Sequence, residues 1–179
     1  PKFAIKYVSR WDVDEIILLD ISASPNNRLI DESSIEVLSE FCFVPLTIGG
    51  GIKDISDVRR IIRSGADKVS LNTQAIRKPS LITEIANIFG VQCVVVSIDV
   101  DIAPDGSYLL HNKNINDLKD INPIEWALKC EEYGAGEILL NCVHKDGARS
   151  GYDKRIIEEM SSVLKIPLVS LGGIGHFSD

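Results

Sequence analysis

The amino-acid sequence predicts an α/β fold, a (βα)8 TIM barrel built from two similar half-barrels. Short apolar runs alternate with longer segments of helical periodicity, as in parallel strands that are joined by helices. A strand–helix–strand unit is repeated along the chain. Glycines and polar residues follow the strands, at the end of the barrel where enzymes with this architecture bind their substrates.

The predicted strands are short, rich in Val, Ile and Leu, and apolar on both faces, as buried parallel strands are. Six segments fit this description: Glu15–Asp20, Leu46–Ile48, Lys68–Leu71, Cys93–Asp99, Glu137–Cys142 and Pro167–Leu171. An open, doubly wound sheet could contain the same six strands, so the strands alone do not decide the architecture.

Six further segments have helical periodicity: Phe3–Trp11, Glu32–Phe41, Ile55–Ser64, Pro79–Phe89, Pro123–Tyr133 and Lys154–Leu164. Asp54 and Asn122 are predicted N-caps, because their side-chain oxygens can accept hydrogen bonds from the free N–H groups of a first turn. Gly65, Gly90 and Gly134 follow helix ends, where a left-handed backbone is common.

The internal repeat favours the barrel over the open sheet. "EIILLD" begins at Glu15 and "EILLNC" at Glu137, while "PLTIGGGI" begins at Pro45 and "PLVSLGGI" at Pro167. In both pairs the second segment follows the first after the same number of residues, as two equivalent half-barrels require. We expect residues 1–179 to form one barrel domain that lacks the first and last strands, and hence to be a fragment of a longer protein.

Composition and charge exclude several classes of function. The net charge of −7 argues against sequence-independent binding of nucleic acid, which needs a basic face. No apolar run reaches the ~18 residues that a membrane-spanning helix needs. The four cysteines form no CxxC pair, and Cys93 and Cys142 lie in apolar runs. We expect reduced thiols, no metal site and a cytoplasmic protein.

The residues at the carboxyl ends of the strands include Asp20, Ser22, Gly49, Gly50, Gly51, Asn72, Thr73, Asp99, Asn141, Asp146, Gly147, Gly172 and Gly173. Glycines there expose backbone N–H groups, and a following helix N-terminus favours anions, so each glycine cluster is a candidate phosphate site. Glycines also make tight turns without any ligand, and this alternative stays open. Two equivalent clusters suit a substrate that carries a phosphate at each end.

Asp99 is the predicted catalytic residue. It ends "CVVVSID", an almost wholly apolar strand, where a solvated surface charge is not expected. A partly buried carboxylate at the mouth of a barrel suits general acid–base catalysis. Capping of the next loop and pairing with a lysine are the alternatives. Asp20 ends another strand in the same way and is expected to support substrate binding.

The chain resembles the cyclase subunit of imidazole glycerol phosphate synthase along its whole length. The matching stretches include "DEIILLDISAS", "PLTIGGGI", "GADKVSLNT", "QCVVVSID", "GAGEILL" and "KDGARSGYD". The resemblance implies a two-fold repeated (βα)8 barrel that receives ammonia from a glutaminase partner. It implies a lyase of histidine biosynthesis, which forms imidazole glycerol phosphate and aminoimidazole carboxamide ribotide from a bisphosphorylated nucleotide without metal or redox cofactor.

The resemblance also implies roles for individual residues. Asp99 matches a catalytic aspartate, and Gly51, Asn72 and Thr73 match one phosphate site. The other phosphate site corresponds to a second set of residues, Asp146, Gly147, Gly172 and Gly173. At the opposite end of the barrel, three charged residues match the point where ammonia enters and the glutaminase docks, namely Glu15, Lys68 and Glu137. A stabilising ring of salt bridges is the alternative role of these three.

The sequence departs from the family pattern in two loops and at one catalytic residue. The loop "LLHNKNINDLKDINP" lacks the glycines that the family usually has there, and His144 and Ala148 replace an aspartate and a threonine. We expect a neutral or substrate-tuning role for His144. The family's other catalytic aspartate belongs to the first strand, so the polypeptide as given is expected to be inactive.

Three hypotheses about function follow. The first is the cyclase of histidine biosynthesis, supported by Asp99 and two predicted phosphate sites. The second is a paralogue that uses partner-supplied ammonia to amidate or amidinate a sugar of a surface polysaccharide, suggested by the altered loops. The third is a non-catalytic subunit that binds and activates a glutaminase, which Glu15, Lys68 and Glu137 would allow.

Overall fold

A computed structural model of the chain describes residues 13–115, 121–176 and 178. The predicted helix Phe3–Trp11 lies outside these residues. Six parallel strands form one curled sheet that is part of a (βα)8 barrel, with helices between the strands, and the predicted fold class is confirmed.

Within the described ranges the sheet contains seven strands. They are β1 (Ile16–Leu19), β2 (Leu46–Gly49), β3 (Lys68–Leu71), β4 (Val94–Ile102), β5 (Tyr108–His111), β6 (Glu137–Cys142) and β7 (Leu168–Leu171). Their order is β1-β2-β3-β4-β6-β7, with every neighbouring pair parallel, and β5 pairs with β4 in the antiparallel direction. The six predicted strands are therefore confirmed.

Six α-helices lie among the described residues. They are α1 (Glu32–Ser39), α2 (Ile55–Arg63), α3 (Thr73–Arg77), α4 (Ser80–Phe89), α5 (Pro123–Glu132) and α6 (Lys154–Val163). The side chain of Asp54 accepts hydrogen bonds from the first turn of α2, and that of Asn122 does so for α5, as predicted. Five of the helices match predicted segments, whereas the sequence analysis missed the short helix α3. None of the helices in the described ranges is both long and apolar enough to cross a bilayer.

Strand β4 and its neighbour β5 form a hairpin that the sequence analysis missed. The prediction that this strand ends at Asp99 is wrong, because β4 continues through Ile102 and then pairs with β5. The turn between the strands contains Gly106 with a φ of 84° and a hydrogen bond from the Ser107 N–H to Asp105. The hairpin brings Asp99 opposite His111.

Alternation along β4 separates the core from the interior of the barrel. Val96, Ile98 and Val100 are buried in the hydrophobic core that also contains residues of the helices. Ser97 and Asp99 point to the other face and line a cavity. The core therefore holds the strand in place while its opposite face presents polar groups.

Candidate active site

A cavity of about 410 Å³ opens at the carboxyl ends of β1, β2, β3, β4 and β6. The residues that line it include most of the predicted site: Asp20, Gly50, Gly51, Asn72, Thr73, Asp99, Asn141 and Asp146. It is also lined by three cationic residues that the sequence analysis did not select, Lys53, Arg77 and Lys113. The structure thus brings the predicted residues of several strands together around one space.

Asp99 accepts a hydrogen bond from a neutral side chain at each of its two oxygens. Asn72 Nδ2 lies 2.9 Å from Oδ2, and Asn141 Nδ2 lies 2.9 Å from Oδ1. Asn72 follows β3 and Asn141 belongs to β6, the two strands that flank β4, so the order of the sheet creates this arrangement. Asp99 is half-buried, and neither predicted alternative, a cap or a lysine pair, accounts for it.

Residues of the loop after β1 donate hydrogen bonds to Asp20. Its carboxylate accepts hydrogen bonds from the hydroxyl of Ser22 at 2.7 Å and from the guanidinium of Arg28 at 2.7 Å. The Ser22 hydroxyl and the Arg28 guanidinium hold the pKa of the Asp20 carboxyl below its ordinary value. Asp20 therefore lines the cavity as an ionised, paired carboxylate.

The glycines after β2 allow two loops to pack closely. Gly51 has a φ of 72°, and a Cβ at this position would overlap the carbonyl oxygen of Arg28. A Cβ on Gly50 would lie 2.8 Å from the carbonyl oxygen of Asp20. Tight packing explains both glycines without a ligand, so their role in phosphate binding stays a prediction.

Only some of the predicted site residues in the second half of the chain line the cavity. Asn141 and Asp146 line the cavity, but the cavity lining does not include Gly147, Gly172 or Gly173. Packing accounts for the last two glycines, because a Cβ on Gly172 would lie 2.6 Å from the Cys142 carbonyl oxygen and one on Gly173 would overlap that of Gly151. A second phosphate site here also stays a prediction.

His144 lies beside the cavity, not in its lining. Its Nε2 is 2.9 Å from Asp153 Oδ2, and the hydroxyl of Tyr108 donates to the other oxygen of Asp153 at 2.8 Å. Burial and the adjacent Asp153 raise the pKa of Tyr108 to about 12. Burial opposes the charge of Asp153, but the hydrogen bonds from Tyr108 and His144 outweigh it and lower the pKa of the carboxyl. Asp153, immediately before α6, thus joins Tyr108 of the hairpin to His144 in the loop after β6.

Three predicted residues meet at the amino ends of the strands. Lys68 Nζ lies 2.8 Å from a carboxylate oxygen of Glu15 and 2.8 Å from one of Glu137. Burial disfavours the charge of Lys68, but the two glutamates more than offset this and raise its pKa. Thr47 donates a further hydrogen bond to Glu15. The salt bridges that the alternative, stabilising role requires are present. Passage of ammonia at this end stays a prediction.

Asn112 is the main residue near Asp99 that the sequence analysis missed. The residue is 9% exposed, and its side chain hydrogen bonds to Asn72 and Thr73. It follows β5, and the signal that could have revealed this strand is "PDG" at 104–106, a turn sequence between two runs with apolar residues. The described residues contain no cluster of His, Cys, Asp and Glu arranged to hold a metal ion.

A curled parallel sheet with a polar cavity at the carboxyl ends of its strands defines a βα-barrel domain with a candidate ligand site at the strand ends. The chain belongs to the family described as histidine biosynthesis protein, which it matches over residues 2–179.

Individual relatives are similar over nearly the whole chain. An imidazole glycerol phosphate synthase subunit HisF of Lactococcus lactis subsp. cremoris (strain SK11) is 47% identical over 93% of this chain and 64% of its own length. The corresponding subunit of Alkaliphilus metalliredigens is 43% identical over 93% of this chain and 66% of its own length. A Vibrio vulnificus protein, provisionally named subunit hisF2 of the same synthase, is 44% identical over 98% and 64%. The chain thus spans slightly less than two thirds of these relatives.

Proposed function

We propose that this chain is part of the cyclase subunit of imidazole glycerol phosphate synthase and that Asp99 is a general acid–base residue of its lyase reaction. One observation carries the proposal: a carboxylate in a cavity at the strand ends is held by two uncharged amides, from Asn72 and Asn141. A carboxylate without a cationic partner can exchange a proton with a bound substrate without first breaking an ion pair.

The similarity to subunits of this synthase supports the choice of reaction. These relatives are 43% and 47% identical to the chain, and the matched regions contain Asp99 and the residues around the cavity. The Vibrio vulnificus relative provisionally named hisF2 is 44% identical, which is within the same range. Sequence identity therefore does not favour the paralogue hypothesis, and residues 116–120 of the altered loop lie outside the described residues.

The remaining site residues are proposed to hold the substrate. Backbone N–H groups at Gly50 and Gly51, with the side chain of Thr73, bind one phosphate of a bisphosphorylated nucleotide. The other phosphate is bound near a second set of residues, Asp146, Gly147, Gly172 and Gly173. Attachment at both ends keeps the reacting centres near Asp99, which supplies the entropic part of the rate enhancement. The cationic side chains of Lys53 and Arg77 in the cavity lining complement such an anionic substrate.

Ammonia is proposed to come from a glutaminase subunit that docks at the amino ends of the strands, in the cytoplasm. The cluster of Glu15, Lys68 and Glu137 lies there, at the opposite ends of the strands from the cavity. The two glutamates raise the pKa of Lys68, so its ammonium group is a weaker acid and is less able to protonate the incoming ammonia.

Turnover by the full-length protein tests this proposal. We expect ammonia-dependent conversion of the histidine-pathway bisphosphate substrate, and we expect Asp99→Asn to lower kcat by at least about 100-fold. Asn87→Asp, which exchanges the same two residue types in the opposite direction at an exposed position on α4, is the control and should leave kcat unchanged. A folded, full-length protein without turnover would overturn the proposal, and assays with sugar substrates and a glutaminase partner would follow.

A further inference from the structure

A chain of two carboxamides, those of Asn112 and Asn72, leads from the β4–β5 hairpin to the carboxylate of Asp99. Asn112 Nδ2 lies 2.7 Å from Asn72 Oδ1, and Asn72 Nδ2 lies 2.9 Å from Asp99 Oδ2. Asn141 contacts the other carboxylate oxygen at 2.9 Å. The three amides come from different elements: the end of β5, the end of β3, and β6.

Hydrogen-bond chemistry determines the direction of each amide in this chain. The backbone N–H of Asn114 can only donate, and it lies 2.9 Å from the side chain of Asn112, so the atom that it meets is Oδ1. The Nδ2 group of Asn112 must then face Asn72, which presents its own Oδ1. This leaves Nδ2 of Asn72 to face Asp99, where an ionised carboxylate can only accept.

The chain begins at a group that can only donate and ends at one that can only accept, and every link between them agrees in direction. A reversal of any one amide would place two donors or two acceptors against each other. Thr73 reinforces the arrangement, because its hydroxyl oxygen lies 3.1 Å from Asn112 Nδ2 and 3.4 Å from Asn112 Oδ1. Asn112 is 9% exposed, so water competes little for these bonds.

We propose that Asn112 is a positioning residue, which fixes the orientation of Asn72 and through it holds the Asp99 carboxylate in its reactive geometry. Asn112 acts from the hairpin and does not touch Asp99. The inference rests on the proposed function in so far as Asp99 is the acid–base residue. The inference goes beyond the proposed function because it gives the β4–β5 hairpin a role in positioning the catalytic carboxylate.

Two variants of Asn112 test this role in different ways. Asn112→Asp keeps the shape and still accepts from the Asn114 N–H, but it turns an oxygen toward Asn72 Oδ1. Asn72 is then expected to rotate its amide, which places an oxygen against Asp99. Asn112→Ala removes the link altogether. The matched control is again Asn87→Asp, which makes the same chemical change on the exposed face of α4.

The first measurement needs no substrate. The side-chain NH₂ signals of Asn72 are recorded in ¹H–¹⁵N NMR spectra of the full-length protein and assigned by their loss in Asn72→Ser. We expect both Asn112 variants to shift these signals and to speed their hydrogen exchange, whereas the control leaves them unchanged. Signals of Asn72 that stay at the wild-type position in both variants would overturn the proposal.

The second measurement is the division of the kinetic effect between kcat and KM. We expect both Asn112 variants to lower kcat by roughly 10- to 100-fold with little change in KM, because misplacement of a reactive group affects the chemical step. A wild-type kcat, or an effect on KM alone, would overturn the positioning role. If the wild-type protein itself shows no turnover, the proposed function fails, and the NMR spectra still decide whether Asn112 orients Asn72.

Discussion

Glu15 and Glu137, at the amino ends of the barrel strands, are held in a different way from Asp99 at the carboxyl ends. At the amino ends, Glu15 and Glu137 each lie 2.8 Å from the ammonium group of Lys68. At the carboxyl ends, Asp99 has only amide partners, Asn72 and Asn141, in the described part of the chain. The same sheet thus contains a charge-paired cluster at one end and an unpaired charge at the other.

The difference teaches which cluster stabilises the fold and which is available for chemistry. An ion pair offsets the cost of removing its members from water, so loss of one member leaves a partly buried charge without compensation. Neutral amides orient a carboxylate but do not neutralise it, so its charge can act on a substrate. The comparison predicts that changes at Asp99 affect activity, whereas changes at Lys68 affect stability.

The largest expected effect separates the activity of Asp99 from its contribution to stability. Asp99→Asn should lower kcat by at least about 100-fold but lower the free energy of unfolding by less than about 1 kcal/mol. The new amide offers one acceptor and one donor, and Asn141 can rotate to match it. Urea unfolding followed by circular dichroism, together with the turnover assay, measures both quantities. A large loss of stability would show that Asp99 is structural.

The second effect tests the opposite end. Lys68→Met should lower the free energy of unfolding by about 2–3 kcal/mol, because Glu15 and Glu137 lose their cationic partner. The value lies below that of a fully buried pair, since the Lys68 side chain is 21% exposed. Lys165→Met, at an exposed position, is the control for denaturant unfolding. Equal stability of the two variants would contradict the structural role of the ion pairs.

Asp153 sharpens the comparison because it lies at the same end as Asp99 but is paired with His144 and Tyr108. Asp153→Asn should lower the free energy of unfolding by about 1–2 kcal/mol at neutral pH. The folded-state pKa of Asp153 is lowered, so its ionised form stabilises the protein above the unfolded pKa and this contribution is lost as the pH falls. The difference in free energy of unfolding between Asp153→Asn and wild type should therefore shrink below about pH 4. A difference that does not change with pH would contradict stabilisation by the ionised carboxylate of Asp153.

The smallest expected effect concerns the hydroxyl of Tyr108. Its pKa rises from 10.0 to about 12 in the folded protein, so the contribution of the hydroxyl is complete below pH 10.0 and is lost as the pH approaches about 12. Tyr108→Phe should cost about 1 kcal/mol at neutral pH and should weaken the alkaline decline in stability. Tyr133→Phe, which is 37% exposed, serves as the control. If the stability of Tyr108→Phe declined as steeply with rising pH as that of wild type, Tyr108 would not contribute to the alkaline loss of stability.

The elements that were predicted correctly depend on local sequence. Hydrophobic runs indicated six strands, and the caps Asp54 and Asn122 marked the starts of two helices, because both signals lie within a few residues of the structure that they specify. The β4–β5 hairpin was missed, since β4 passes its most obvious polar residue, Asp99, and reverses only at the following turn. Without that hairpin, Asn112 could not be recognised as a neighbour of the site.

By itself, the sequence determined the class of the sheet, the order of its six parallel strands and of five helices, and the strand ends at which polar side chains collect. Periodicity and the repeat carry this information along the chain. Only the tertiary structure decided which groups Asp99 contacts, because Asn72 and Asn141 are 27 and 42 residues away along the chain. Strand order and register brought these amides to Asp99. Such long-range pairings decide whether a carboxylate is held by amides, as Asp99 is, or by an ion pair, as Glu15 and Glu137 are.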